Sequence, residues 1–500
     1  MMAETTVPRW QPVEFSFASQ AEHPNPFAIR FDAVVRGPNG SEFLLPGFYD
    51  GHGTWKIRVA PTAEGRWTLE TRSYDPALDG RRAQFTCVAD STPGVHGRLR
   101  VDPHHPHHFI FEDGTRYFLL GYECDWLWAL GMADGDARPV EAFLDKLAAH
   151  GFNHIILNAY AHDTPWRRGK TGPDDYGPPP LFPWAGTNEA PDHSRFNLNF
   201  WHHYDRVIAA MYERGIVAHI MIKVYNKFVS WPLPGSEQDD MFFRWLIARY
   251  AAYPNIVWDF SKEAQNEKNL NYKLGRLRFI RDNDPYSHLI TVHDDPAAYD
   301  AGHYDELADF RSDQNHSHWH ETVLQQRRMR QWPVVNVEFG YEHGPGGPED
   351  VTYQVAQPPE EIARRAWEVV TAGGYPVYYY TYTAWDVIRP DDTPPGYRYM
   401  KNLRDFFEQT RYWELEPADE LVTAGRCLAC RGREYVIFVN QAMPLTVRLE
   451  GAGAFRVHWF HTLYGQWCES RQLRGPNAEL VPPDKWMGQP IAVLLRSQAI

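Results

Sequence analysis

The sequence predicts an α/β protein in which a (β/α)₈ TIM barrel is flanked by N-terminal and C-terminal β-sandwich domains. Three observations point there. Residues 7 to 100 hold short runs of alternating apolar and polar residues between Gly- and Pro-containing turns; from Tyr117 apolar runs of five to eight residues alternate with amphipathic helical segments; and from Leu421 the short alternation returns. A period of two marks half-buried strands, whereas continuous apolar strands separated by helices mark a parallel sheet covered on both faces. A chain of 500 residues exceeds one core and leaves room for a barrel of ordinary size, about 250 residues.

The expected division is 1–100 immunoglobulin-like sandwich, 101–416 barrel and 417–500 C-terminal sandwich. In the first, Phe27-Ala-Ile-Arg-Phe-Asp-Ala-Val-Val35 and Trp55-Lys-Ile-Arg-Val59 are strand patterns. The eight barrel strands are read at Tyr117–Gly121, His154–Asn158, Val217–Val224, Ile256–Phe260, Leu289–His293, Asp309–Asp313, Val334–Phe339 and Val377–Tyr382. Between the first two, Val140, Phe143, Leu144, Leu147 and Ala148 recur at helical spacing and Gly151 offers a stop. Ser236 and Asp239 resemble a capping box ahead of another helix. The stretch Ala161 to Asn199 has no period and many Pro, Gly, Asp and Trp residues, which predicts a long loop after the second strand. A helix at Tyr399–Gln409 leads through Trp413 and Pro417 into the last domain.

Composition narrows the function. The formal charge is −14, with no block of five like charges, which argues against nucleic acid or an anionic membrane surface as partner. No run of eighteen apolar residues occurs and Met1 to Trp10 lacks a basic start before an apolar stretch, so a cytoplasmic protein is expected. Five scattered cysteines fit a reducing compartment, and the lone Cys427-x-x-Cys430 pair reads as two incidental thiols. The 19 Trp, 27 Tyr and 27 Phe mostly fill cores, but their flat faces can also stack on sugars.

Strand ends of a (β/α)₈ barrel converge on one rim, so carboxylates just past two strands can face one substrate. Glu263 follows the fourth strand in Tyr253-Pro-Asn-Ile-Val-Trp-Asp-Phe-Ser-Lys-Glu263, and Glu338 ends the seventh in Pro333-Val-Val-Asn-Val-Glu338. A retaining glycosidase needs such a pair, one carboxyl to protonate the leaving oxygen and one carboxylate to attack the anomeric carbon, about 5–5.5 Å apart.

These tracts make the chain resemble a clan A glycoside hydrolase of the apiosidase-like group. Pro254-Asn-Ile-Val-Trp258 through Lys262-Glu263 is similar to the family tract that ends in the acid/base, and Val334-Val-Asn-Val-Glu338-Phe-Gly340 to the one that carries the nucleophile. The resemblance thus implies Glu263 as acid/base and Glu338 as nucleophile. It departs at Lys262, where the family has an Asn that contacts the sugar 2-hydroxyl. Asn266-Glu267 is a rival Asn-Glu pair, set too far past Trp258 to be preferred. The tract Gly121-Tyr-Glu-Cys-Asp-Trp126 loosely echoes the family's Gly-Asp-Thr-Ala-Trp. Either Glu123 or Asp125 stands for its Asp; Asp125 is preferred because it directly precedes Trp126.

Outside the barrel, Asn25-Pro-Phe27, Pro46-Gly-Phe-Tyr-Asp-Gly51, Trp55, Arg58 and Trp67 resemble the immunoglobulin-like module often found before such barrels. Trp459 to Trp467 and Val481-Pro-Pro-Asp-Lys-Trp486 resemble a collagen-binding-like sandwich found after them.

The expected substrate-binding residues are Asp125, Trp126, Asn158, Lys262, His293, His316, Tyr341 and Trp385, with Trp385 as floor of the subsite at the scissile bond. Glu123, Tyr160, Lys223, Tyr225, Asp294 and Asp386 are further strand-end candidates. The clusters His104-His105-x-His107-His108 and His316-x-His318-x-His320 lack clear carboxylate partners and the second follows strand six, so neither a metal nor another cofactor is expected. The partner is then an oligosaccharide or glycoside, with a homo-oligomer allowed. Trp166, Tyr176, Phe182 and Trp184 put the long loop either beside the site as a wall, favouring attack from a chain end, or against a sandwich as a flap. The competing class is a barrel that binds glycan or protein without catalysis.

Overall fold

The computed structural model describes residues 5–89, 94–165, 174–296, 304, 306–347, 356–451, 453–469 and 472–498. Eight parallel strands close the barrel: β1 Gly121–Glu123, β2 His154–Asn158, β3 Val217–Val224, β4 Ile256–Lys262, β5 in two pieces, β6 Arg311–Asp313, β7 Val334–Asn336 and β8 Tyr375–Tyr378. The pieces of β5 are Ile290–Thr291, which pairs with β4, and His293–Asp294, which pairs with β6. Closure therefore runs through a strand that changes partner at Val292. The expected first strand lies too early, because Tyr117 belongs to a small antiparallel sheet of Leu99–Val101, Phe109–Phe111 and Arg116–Tyr117 below the barrel.

Helices α1 (Arg138–Ala149), α2 (Leu198–Glu213), α3 (Glu237–Tyr250) and α4 (Leu270–Asn283) follow the first four strands. Helices α5 (Trp319–Met329), α6 (Pro359–Thr371) and α7 (Pro395–Phe407) follow the last three. The apolar spacing of α1 buries Val140, Phe143, Leu144 and Leu147, and Ser236 caps α3 by accepting from the Asp239 amide at 3.2 Å.

Before the barrel, a five-stranded sheet faces a three-stranded one. Trp55, Trp67 and Phe85 fill the space between them, and the apolar core continues without a break into the barrel. Buried ion pairs fix the joint: Arg58 reaches Asp205 of α2 at 3.1 Å and Arg249 of α3 reaches Asp205 at 2.6 Å and Asp50 at 3.3 Å. After the barrel, a six-stranded antiparallel sheet and a two-stranded one enclose a separate core around Tyr435, Trp459 and Trp486. That domain docks on α7, where Asn402 donates to the carbonyls of Thr462 and Leu463 at 3.0 Å each and Phe406 stacks on Trp467. Cys427 and Cys430 share the strand Arg426–Cys430, and a spacing of three turns them to opposite faces, which rules out a joint site.

The long connection after β2 divides in two. Its second half forms the hairpin Trp184–Gly186 with Pro191–Phe196, in which Trp184 is fully buried against Phe182, Trp231 and Phe242. Asn25 and Pro24 of the first domain hydrogen-bond to Ser194 and Arg195, so this half is a flap on the sandwich. Of its first half, the described residues Asp174 to Tyr176 run beside the loop after β8, where the Tyr176 amide donates to the Asp386 carbonyl at 2.7 Å and the Asp174 carbonyl accepts from the Ile388 amide at 2.9 Å. Trp166 lies outside the described residues. No helix among those residues is long and apolar enough to cross a membrane.

Candidate active site

Glu338 follows β7 and points into the rim, almost wholly buried. Its Oε1 accepts from the Lys262 ammonium at 2.8 Å, with His293 Nε2 3.3 Å away. Its Oε2 accepts from the Tyr341 hydroxyl and from Gln314 Nε2 at 3.2 Å, and His316 Nε2 stands 4.0 Å off. Burial pushes the carboxyl pKa up, but Lys262 and His293 overcome it and hold the group well below the ordinary carboxylate range. Glu338 is therefore a buried carboxyl held toward its ionised form.

Glu263 sits at the end of β4, half-buried, with its backbone in the left-handed region at φ 52° and ψ 54°. A non-glycine residue adopts this conformation at a cost and is enriched at functional sites. Trp385 shares the feature at φ 56°. Asn226, just past β3, donates to Glu263 Oε1 at 2.6 Å, and Asn266 donates to Oε2 at 2.9 Å. Gln314 Nε2 reaches Glu263 Oε1 at 3.4 Å while also reaching Glu338 Oε2. One nitrogen thus bridges the two carboxylates, whose facing oxygens cannot lie farther apart than the sum of those two contacts.

Beneath them Lys262 forms the hub of a charge cluster. Its ammonium bonds to Glu123 Oε1 and lies 3.6 Å from Asp125 Oδ1, while Asp125 Oδ2 pairs with Lys227 at 2.9 Å. Burial, aided by the neighbouring Glu338 and Asp125, raises Glu123 well above the usual carboxyl range; burial likewise opposes Asp125, but Lys227 and Lys262 lower it. The two acidic candidates of β1 thus divide, one toward the neutral and one toward the ionised form. Lys262 grips the nucleophile candidate from a position where the family has an uncharged amide.

The other expected residues surround this centre. Tyr341 packs on Tyr379 and Trp385, and His316 stands at the mouth beside Tyr341. Trp126 lies fully buried with the Lys227 ammonium 5.6 Å from its ring. Asn158 donates its backbone amide to the Asp125 carbonyl at 3.2 Å, and both ends of its buried side-chain amide lack a partner. Buried polar atoms without partners recur here: Glu123 Oε2, His293 Nδ1, His316 Nδ1 and the Asn158 amide. Such groups are rare in folded proteins and mark places where a polar ligand completes the set.

Lys223 is not at the rim: it turns outward, with its ammonium 2.6 Å from both Asp239 of α3 and the Tyr272 hydroxyl of α4. Glu267 accepts from the Asn269 amide at 2.8 Å, outside the cluster. Gln314, Asn226 and Lys227 were not anticipated, although each stands just past a strand, where the same rim argument applies. Glu123, His293 and Glu338 form the one group among the described residues whose donor atoms could surround a metal ion. The Lys262 ammonium already rests on both of those carboxylates, so an ion there would have to displace a bound cation. The other histidines are engaged separately: His105 with Asp102, His107 with the Trp332 carbonyl, His108 with Tyr375 and His320 with Asp419.

Residues 104–418 match the apiosidase-like catalytic domain, more than half of the sequence. The chain belongs to the apiosidase-like family. It is a glycosidase with a carbohydrate substrate, and residues 6–74 of this apiosidase-like chain match a domain of unknown function (DUF5060). A structure from Bacteroides vulgatus, described provisionally as a glycoside hydrolase, superposes with a TM-score of 0.83 at 21% identity, covering 99% of this chain and 100% of that one. A glycoside hydrolase family 5 structure from the same organism gives 0.61 at 16% identity over 81% and 94%. Another glycoside hydrolase gives 0.62 at 18% over 81% and 98%. At such identities these likenesses show the shared fold. No curated protein matches the sequence.

Proposed function

We propose that this apiosidase-like enzyme hydrolyses glycosides with retention of configuration, Glu338 acting as nucleophile and Glu263 as acid/base. The observation that carries the reading is the Gln314 bridge. Retaining enzymes hold their two carboxyl groups about 5–5.5 Å apart, whereas inverting ones need about 6.5–9.5 Å to fit a water between them. The two N–H bonds of one side-chain amide diverge and do not oppose each other, so oxygens 3.2 and 3.4 Å from that nitrogen lie closer together than the sum of the two contacts, nearer the shorter spacing.

In the first step an oxygen of ionised Glu338 bonds to the anomeric carbon while the bond to the leaving oxygen breaks and Glu263 gives that oxygen its proton. In the second step water attacks the same carbon, Glu263 takes back a proton from it, and the ester bond to Glu338 breaks. Glu263 must alternate between acid and base. Its partner Asn266 suits that change, since a side-chain amide can present either its NH₂ or its carbonyl oxygen. Asn158, His293 and His316 would take the sugar hydroxyls, and Trp385 with Tyr341 would form the floor.

Family membership makes apiosides and other plant cell-wall glycosides the first substrates to test. The described stretch Asp174 to Tyr176 of the long loop, beside the loop after β8, supports a walled pocket and attack from a chain end on small oligosaccharides. A panel of aryl glycosides and plant cell-wall oligosaccharides should include at least one that the enzyme cleaves and that Glu338→Ala does not. Binding without turnover across the panel would instead favour a non-catalytic barrel.

A further inference from the structure

The split in β5 leaves a physical problem that one buried carboxylate solves. Past Thr291 the fifth strand stops pairing with β4, so the Ser261 amide on β4 and the His293 amide on β5 lose the strand partners that backbone groups require. Asp259 supplies both from a single oxygen: Oδ1 accepts from Ser261 at 3.0 Å and from His293 at 3.0 Å. Its neighbour Trp258 turns outward to Asp284, so Asp259 faces the barrel interior.

The other oxygen is held from below. Asp259 Oδ2 meets His219 Nε2 at 2.9 Å, His219 Nδ1 meets His154 Nε2 at 3.0 Å, and His154 Nδ1 lies 3.3 Å from the Tyr117 hydroxyl, which donates to the Asn153 carbonyl at 2.9 Å. Asp259, His219 and His154 are fully buried on neighbouring strands β4, β3 and β2. A chain of hydrogen bonds thus runs through the barrel core toward the split.

The consequence reaches the active site. Lys262 directly follows Ser261, and His293 is itself a bonded residue; these two side chains are the ones that approach Oε1 of Glu338 at 2.8 and 3.3 Å. We propose that Asp259, braced by His219 and His154, is a positioning residue of the hydrolysis, setting Lys262 and His293 against the nucleophile through one shared acceptor. This rests on Glu338 being the nucleophile.

The test compares Asp259→Leu, Asp259→Asn and Glu338→Ala on an aryl glycoside cleaved by the wild type, with circular dichroism and thermal melting to confirm folding. Leu removes the acceptor, whereas Asn keeps a carbonyl oxygen for both amides. The expected result is a loss of 100-fold or more in kcat for Asp259→Leu at nearly unchanged KM, with Asp259→Asn recovering to within tenfold of wild type. A folded Asp259→Leu enzyme with wild-type kcat would overturn the proposal, as would a loss confined to KM or to thermal stability. If Asp259→Leu does not fold, His219→Phe decides: a kcat about tenfold lower at constant KM supports the brace, and wild-type kcat overturns it. Full activity of Glu338→Ala would instead mean that the nucleophile assignment has failed.

Discussion

The ammonium of Lys262 stands 2.8 Å from Oε1 of Glu338, and both groups are buried. A charge-assisted bond between buried partners stabilises the ionised carboxylate far more than a surface pair would, and removal of one partner strands the other.

The first prediction follows from that pair. Burial alone would raise Glu338, and Lys262 is the largest influence opposing it, with His293 second. In Lys262→Met the carboxylate should therefore pick up its proton at higher pH, moving the acid limb of the kcat/KM profile upward and cutting activity at pH 5 by at least tenfold. Lys262→Asn, which restores the family's residue, should fall between the two. An acid limb that stays in place would remove Lys262 from control of the nucleophile.

Tyr341 tests the second contact on Glu338. Its hydroxyl donates to Oε2, and a hydrogen bond to a buried charged group contributes about 1.5–3 kcal/mol. Tyr341→Phe should lower kcat by roughly 10- to 100-fold, since about 1.4 kcal/mol is a factor of ten, and should leave KM nearly constant. A change in KM alone would mean that the hydroxyl serves the sugar and not Glu338.

For Glu263 the expected signature is dependence on the leaving group. Loss of a general acid harms poor leaving groups most and spares acidic phenols. Across a series of aryl glycosides Glu263→Ala should show a steeper slope than wild type. Equal loss across the series, or a larger effect from Glu267→Ala, would reassign the role.

How far the sequence alone could lead is visible at these residues. The meeting of Glu263 and Glu338 at the rim was legible because each ends an apolar strand, and the strand ends of a barrel meet by topology. Lys223 shared that position but faces the helices, because a place near a strand end does not say which face a side chain takes. Gln314 and Asp259 stayed hidden for another reason: their meaning lies in contacts across strands, and no local period reports that one amide spans two glutamates or that a strand changes partner at Val292. Tyr117 misled through composition, since its aromatic and leucine run fits a barrel strand as well as the edge of the small sheet below.

A further prediction concerns stability. Burial raises Asp259 from 3.8 to about 7, so the folded protein binds this proton more tightly than the unfolded chain does. The sign is that ionising Asp259 opposes folding, and its contribution to stability falls as pH rises from about 4 to 7. Asp259→Asn cannot ionise. Its melting temperature relative to wild type should therefore be higher at pH 8 than at pH 5; a constant difference would mean that Asp259 is ionised throughout.

Double displacement at Glu338 is tested by the stereochemistry of the first sugar released. Proton NMR recorded within minutes of adding enzyme to a cleaved glycoside, before the free sugar equilibrates between anomers, reads it without any mutation. Two successive displacements give a product with the anomeric configuration of the substrate. A product of opposite configuration would contradict it, since a single displacement by water leaves no place for a covalent bond to Glu338.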